Sequence, residues 1–175
     1  MARIAPIAAE DASPEVAEIY REIRQAFGMV PNLFKTYAHH PPLLEANWHK
    51  VERVMMEGSL SRKTKEAIAL LVSRDNSCSY CVAAHSGALR KIGVSADEIV
   101  LIETDLDRAD FSPLERALIR FARKANRVTG EVTDADLADL RGAGATDAEI
   151  IEALGVMEVF TAFNRFLDTL EVEIG

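Results

Sequence analysis

Three four-residue stretches, Ser95-Ala-Asp-Glu98, Ser112-Pro-Leu-Glu115 and Thr146-Asp-Ala-Glu149, share one arrangement: a hydroxyl residue followed three positions later by a carboxylate. In that arrangement each side chain satisfies a backbone N–H that the first helical turn leaves orphaned, so each stretch predicts a helix start. Ser13-Pro14 predicts another, with proline at the first helical position, where its missing N–H is of no consequence. Stops are placed to match. Gly28, Gly93 and Gly130 each follow an apolar-periodic run, and Pro41-Pro42 interrupts the chain between two more. The periodicity between these marks predicts helices over roughly 14–27, 32–39, 42–57, 62–74, 78–92, 96–104, 113–128, 134–141 and 147–170. No alternating strand pattern, fixed-period repeat or low-complexity linker intervenes, so the expected fold is all-α, a helical bundle in which residues 1–175 form one domain.

Composition narrows the function classes. At 175 residues the chain is long enough to bury a sizeable core without disulfides or a structural metal. Its net charge is −8 and no basic stripe offsets it, which argues against nucleic acid or an anionic membrane surface as the main partner. Ala67 to Val72, the longest strongly apolar stretch, is far too short to span a bilayer. The opening MARIAPIAAEDASPE lacks the apolar core of a secretory signal, so the expected location is cytoplasmic. Two cysteines in a reducing compartment then point to chemistry or metal binding. Segment 147–170 is apolar over more than one face, and between Ile150 and Phe163 only Glu152 and Glu158 are charged. Such a helix is either central in the fold or buried against another subunit.

The chemistry-bearing stretch runs from Glu66 to His85 and contains Cys78-Ser-Tyr-Cys81. On a helix beginning near Ser77, Cys78 and Cys81 stand at i and i+3 and His85 at i+4 from Cys81, so all three share one face. Cα atoms at that spacing lie about 5–6 Å apart, within the window for a disulfide, although helical Cβ directions leave the bond strained and easily reduced. If 62–74 and 78–92 form an antiparallel hairpin, Glu66 lies about 12 Å before the end of the first helix and His85 about 11–12 Å into the second. The two reach the same level, which makes a Glu66–His85 hydrogen bond available. A carboxylate on one imidazole nitrogen fixes the tautomer and raises the basicity of the other, which can then take the Cys81 proton directly or through a water. Cys78, near the first turn, gains from the positive end of the helix dipole. A zinc site formed by Cys78, Cys81 and His85 with Glu66 or a histidine as fourth ligand is the chemical rival, but the run lacks the second ligand pair usual in structural sites. His39, His40 and His49 read as surface or capping residues, and Tyr80 and Trp48 as packing.

With Glu66, Cys78-Ser-Tyr-Cys81 and His85 at these spacings, the chain resembles the AhpD-like alkylhydroperoxidases, the peroxidase-related branch of the carboxymuconolactone decarboxylase superfamily. Asn76 and Phe163-Asn-Arg-Phe-Leu-Asp168 read like that branch too. The resemblance implies an AhpD-like helical bundle with a CxxC-bearing antiparallel helix pair, assembled as a homotrimer or hexamer. It also implies reduction of alkyl hydroperoxides through a Cys78–Cys81 dithiol/disulfide cycle, with no haem, flavin or metal cofactor. By the same resemblance Cys81 is the attacking thiolate, Cys78 the resolving partner, and Glu66 with His85 the proton relay. The implied partners are a peroxide and a dithiol reductant, lipoyl-bearing or thioredoxin-like. One position departs: the best-known peroxidases of the family carry a histidine where this chain has Tyr80. Two further readings stand beside this one: a general thiol–disulfide oxidoreductase without strong peroxidase activity, and a non-catalytic, metal-binding helical oligomer.

Overall fold

Local capping chemistry sets where most helices begin and end. The computed structural model describes residues 1–175 and holds nine α-helices and no strand. Helix α1 (Pro14–Phe27) starts on Ser13, whose hydroxyl accepts from the Val16 N–H, and stops on Gly28 in the left-handed conformation at φ 84°. Helix α2 (Asn32–Tyr37) is short, ending before the expected residue 39. The reason lies in the next helix, α3 (Pro41–Met56), for which the His40 ring nitrogen caps the Leu43 N–H. The two prolines therefore open a helix, at positions where an N–H has no helical partner anyway.

The remaining helices are α4 (Arg62–Asp75), α5 (Ser79–Lys91), α6 (Ala96–Thr104), α7 (Pro113–Arg127), α8 (Asp134–Gly142) and α9 (Asp147–Leu170). Reciprocal capping boxes form at Ser112/Glu115 and Thr146/Glu149, and a further one at Thr133/Asp136 starts α8. At the third expected box Ser95 caps the Glu98 N–H, but the Glu98 carboxylate turns away to Lys63 Nζ and the Asp110 N–H, both at 2.8 Å. Gly130 does not stop a helix. Helix α7 closes at Val128, where Thr129 Oγ1 donates to the Ala125 carbonyl at 2.7 Å, and Gly130 lies in a single 3₁₀ turn, Thr129–Glu131.

Helix α4 is the axis of the fold. Every residue from Thr64 to Ser73 is buried, under α5 on one side and α7 and α9 on others. Fully burying each of Ile68, Leu70 and Leu71 contributes about 1.5–3 kcal/mol of transfer free energy. Helix α9 is also central, packing against α3, α4, α5 and α7 and burying Val156, Val159, Phe160 and Phe163. Its opposite side reaches solvent at Ile151, which is 69% exposed.

A cation lies deep in this apolar frame. Lys65, 2% exposed, points back under the α3–α4 loop, where Nζ meets Glu152 of α9 at 2.7 Å and donates to the carbonyls of Val54 and Glu57. Glu152 in turn accepts from the Ser59 and Leu60 N–H groups at 2.9 and 3.1 Å. Gly58 sits over this carboxylate at φ 103°, a conformation strained for any residue with a side chain, and a Cβ there would push the Glu152 carboxylate aside. The loop that delivers the chain into α4 is thus clamped from beneath. No helix is long and apolar enough to cross a membrane.

Candidate active site

The turn between α4 and α5 is a Schellman closure. Ser77 takes the left-handed conformation at φ 62°, the Ser77 N–H donates to the Arg74 carbonyl at 3.0 Å, and the Cys78 N–H donates to the Ser73 carbonyl at 2.9 Å. Helix α5 consequently begins at Ser79, and Cys78 is its N-cap residue, not the first-turn residue expected from sequence. The shift places Cys78 at the mouth of the helix, where the Cys81 backbone N–H favours its thiolate. Both cysteines are free thiols and both are buried, Cys78 fully and Cys81 to within 3%.

Each thiol acts first on the other. The Cys81 thiol, and after burial's opposing effect the Cys81 backbone N–H, stabilise a Cys78 anion and hold the Cys78 thiol below the ordinary range, with Asp168 opposing. Cys81 is pushed up, first by Cys78 and then by burial, against smaller help from Asn164 and Ser73. Both effects favour an anion on Cys78 over one on Cys81. The sequence expectation puts the attacking thiolate on Cys81, from the His85 spacing; in the folded turn the Cys81 thiol, and then its backbone N–H, favour an anion on Cys78.

Across the helix pair, His85 Nδ1 lies 2.7 Å from Glu66 Oε2, with both residues buried. The hydrogen bond predicted by counting along the two helices is present. Burial pushes the Glu66 carboxyl up, but the His85 hydrogen bond, with Arg62 behind it, more than offsets this and holds it below the usual carboxylate range. Phe160 of α9 packs edge-on against the His85 ring with centroids 4.2 Å apart, which fixes the imidazole plane. With Nδ1 committed to Glu66, Nε2 is the nitrogen left to exchange protons.

Several members of the site were not read from the sequence. Arg62, one helical turn before Glu66, places Nε and Nη2 at 2.8 and 2.7 Å from Glu66 Oε1. Beneath the thiols, Asn164 Nδ2 donates to Ser73 Oγ at 3.0 Å and Asn76 Nδ2 donates to Asn164 Oδ1 at 2.9 Å, linking α9 to α4 and the turn. Asn76 and Asn126 also exchange amide hydrogen bonds, at 3.2 and 3.0 Å. Tyr80, between the cysteines, points to α2, where its hydroxyl accepts from the Leu33 N–H at 3.3 Å. It is a packing residue, as is Trp48, which is fully buried among Phe27 and Phe34 with its indole N–H on Glu22. His39 contacts the Ala5 carbonyl, His40 caps α3 and His49 is half exposed near Glu22, all remote from the thiols in role. No three His, Cys, Asp or Glu side chains come together with the geometry of a metal cage.

The carboxymuconolactone decarboxylase family profile matches residues 41–124, a stretch that includes Glu66, both cysteines and His85. An alkyl hydroperoxide reductase of Mycobacterium tuberculosis is 34% identical over 90 residues, which is 51% of this chain but only 26% of that protein. The crystal structure of an AhpD-core, peroxidase-related protein from Ralstonia eutropha superposes with a TM-score of 0.88 at 27% identity, covering 99% of this chain and 92% of the other. The debrominase Bmp8 shares the fold, with a TM-score of 0.84 at 20% identity over 98% of this chain and 91% of that one. Residues 41–124 thus match the carboxymuconolactone decarboxylase family, and the chain as a whole is similar to AhpD-core, peroxidase-related proteins.

Proposed function

We propose that this protein is a thiol-dependent peroxidase that reduces alkyl hydroperoxides through a Cys78–Cys81 dithiol/disulfide cycle. The observation that carries the reading is the buried 2.7 Å Glu66–His85 hydrogen bond beside two free thiols at the start of α5. A buried imidazole with one nitrogen held by a carboxylate is a general base, and a cysteine pair three residues apart is a two-electron reductant.

In this reading the Cys78 thiolate attacks the terminal oxygen of the peroxide. The O–O bond breaks, Cys78 becomes a sulfenic acid, and the departing alkoxide takes a proton that originates on Cys81 and passes through His85. The Cys81 thiolate then attacks the Cys78 sulfur, forming the disulfide and expelling hydroxide, which is neutralised to water. Two electrons leave the dithiol and reduce the peroxide to an alcohol and water. Return to the dithiol requires an external dithiol, a lipoyl-bearing or thioredoxin-like protein. The same reading has the chain working in the cytoplasm as a homo-oligomer, a trimer or hexamer.

Trapping the sulfenic acid tests the order of events. With a dimedone-type probe and one equivalent of peroxide, Cys81→Ser is expected to carry the adduct on Cys78 and Cys78→Ser to carry none. An adduct on Cys81 in Cys78→Ser, with none in the other variant, restores the roles implied by the family resemblance. Consumption of disulfide substrates with peroxides left untouched selects the general oxidoreductase instead.

A further inference from the structure

The Glu66 carboxylate is shared between two partners, and only one of them belongs to the proposed relay. His85 Nδ1 takes Oε2 at 2.7 Å, while Arg62 directs Nε and Nη2 at Oε1 from 2.8 and 2.7 Å. Arg62 is fixed at its other end, with Nη1 reaching the Met55 carbonyl at 3.4 Å and the Met56 sulfur at 3.6 Å at the end of α3. Ser61 caps α4 immediately before it, and Arg62 stands one helical turn before Glu66. The arginine is one-third exposed, whereas Glu66 is 2% exposed.

We propose that Arg62 is a positioning residue of the relay, which by holding Glu66 Oε1 keeps the Glu66–His85 pair free of an extra proton, so that His85 Nε2 stays open to accept one. A carboxylate buried with an imidazole as its sole partner is a lone negative charge in a poor solvent, and the pair lowers its energy by taking up a proton and becoming carboxylate and imidazolium. Such a pair has its base function already spent. A guanidinium remains charged throughout the working pH range and neutralises the carboxylate without supplying a proton to it. The proton demand on His85 falls accordingly, while the Oε2 hydrogen bond still selects the tautomer.

The surroundings leave this task to Arg62. From α4, Lys65 is turned away to Glu152 and the carbonyls of Val54 and Glu57. From α5, Cys81 is the titratable group on the His85 face, one helical turn before it. Helix α9 contributes the uncharged Phe160 ring, and the end of α3 a carbonyl and a thioether. Arg62 is the one cation paired with Glu66.

This inference rests on the relay of the proposed function, so its test reads the pair directly as well as through activity. The His85 ring, labelled with ¹⁵N, is titrated by NMR in the native protein, Arg62→Met, Arg62→Gln and Arg62→Lys. Peroxide turnover against pH is measured alongside. In Arg62→Met the pH at which the pair takes its proton is expected to rise by about one unit, the size of effect a neighbouring charge produces. Turnover at the acid side should fall about tenfold and return to the native plateau at alkaline pH. Arg62→Gln should follow Arg62→Met, which covers the case in which one of them folds poorly, and Arg62→Lys should recover most of the native profile by restoring the charge. An unmoved titration in folded Arg62→Met or Arg62→Gln overturns the proposal, as does a loss of turnover that is equal at every pH. If native protein consumes no peroxide, the peroxidase reading fails while the NMR titration still decides the role of Arg62.

Discussion

Replacing His85 with alanine is expected to slow peroxide turnover by about 10²-fold or more, the usual scale for removal of a positioned general base. Cys81 is one helical turn from His85 and Cys78 nearly two, so the imidazole serves the Cys81 proton directly or through a water. The step slowed most should therefore be disulfide closure, which needs the Cys81 thiolate, because the alkoxide leaving in the first attack can take its proton from solvent when His85 is absent. Cys78 sulfenic acid is expected to build up in His85→Ala with both cysteines present, where the native protein closes it to the disulfide too fast to trap. Because His85 is 7% exposed and packs on Phe160, its removal also leaves a small void, so the rates are to be compared with a melting curve of the same variant. Turnover within about threefold of native, with no trapped sulfenic acid, removes His85 from the mechanism.

The second large effect is on stability, and it concerns Lys65. Changing Lys65 to methionine keeps most of the side-chain volume but removes the cation between Glu152 and the carbonyls of Val54 and Glu57. Breaking one half of a buried ion pair costs about 3–5 kcal/mol, because the remaining charge stays desolvated. Glu152 keeps two backbone N–H donors, from Ser59 and Leu60, which points to the lower end, about 3 kcal/mol. For a chain of this size each kcal/mol lowers Tm by about 2–4 °C, so the expected loss is about 6–12 °C. Removing both charges, as Lys65→Met with Glu152→Leu, should recover part of that loss, since no unpaired charge then remains. A fall in stability of less than about 1 kcal/mol for Lys65→Met, measured by urea unfolding, contradicts this account of the α3–α4 clamp.

How much of this was legible beforehand depended on whether the signal was local. Helices α1, α6 and α9 begin and end at the residues the sequence marks, because Ser13-Pro14, Ser95 and Thr146 each act on N–H groups within the same turn. The Glu66–His85 contact was reachable by counting, since a three-residue turn leaves two helices little choice of register. Ser77 was not recognised as a left-handed closing residue because serine, unlike glycine or asparagine, seldom advertises that conformation, and the start of α5 was placed too early for that reason. Ser73 and Asn164 meet across 91 positions of chain, and nothing in either neighbourhood announces the other. Arg62 was within reach. An arginine four residues before a glutamate on one helix is a known pairing, so the Arg62–Glu66 contact is written in the local sequence.

The order of the two cysteines shows the same division. Spacing alone favours Cys81, which stands one turn from the base; the hydrogen bonds that the Cys81 thiol and backbone N–H offer to Cys78, which favour Cys78, emerge only when the turn is folded. In both assignments the same two sulfurs change oxidation state.

Mass spectrometry of the peptide containing Cys78 and Cys81, taken before and after one equivalent of an alkyl hydroperoxide and with zinc quantified in the same sample, tests that point most directly. The account predicts a metal-free dithiol that loses two hydrogens to become an intramolecular disulfide and regains them on treatment with a dithiol. A peptide whose mass does not change with peroxide, or a pair of sulfurs that retains stoichiometric zinc, contradicts it.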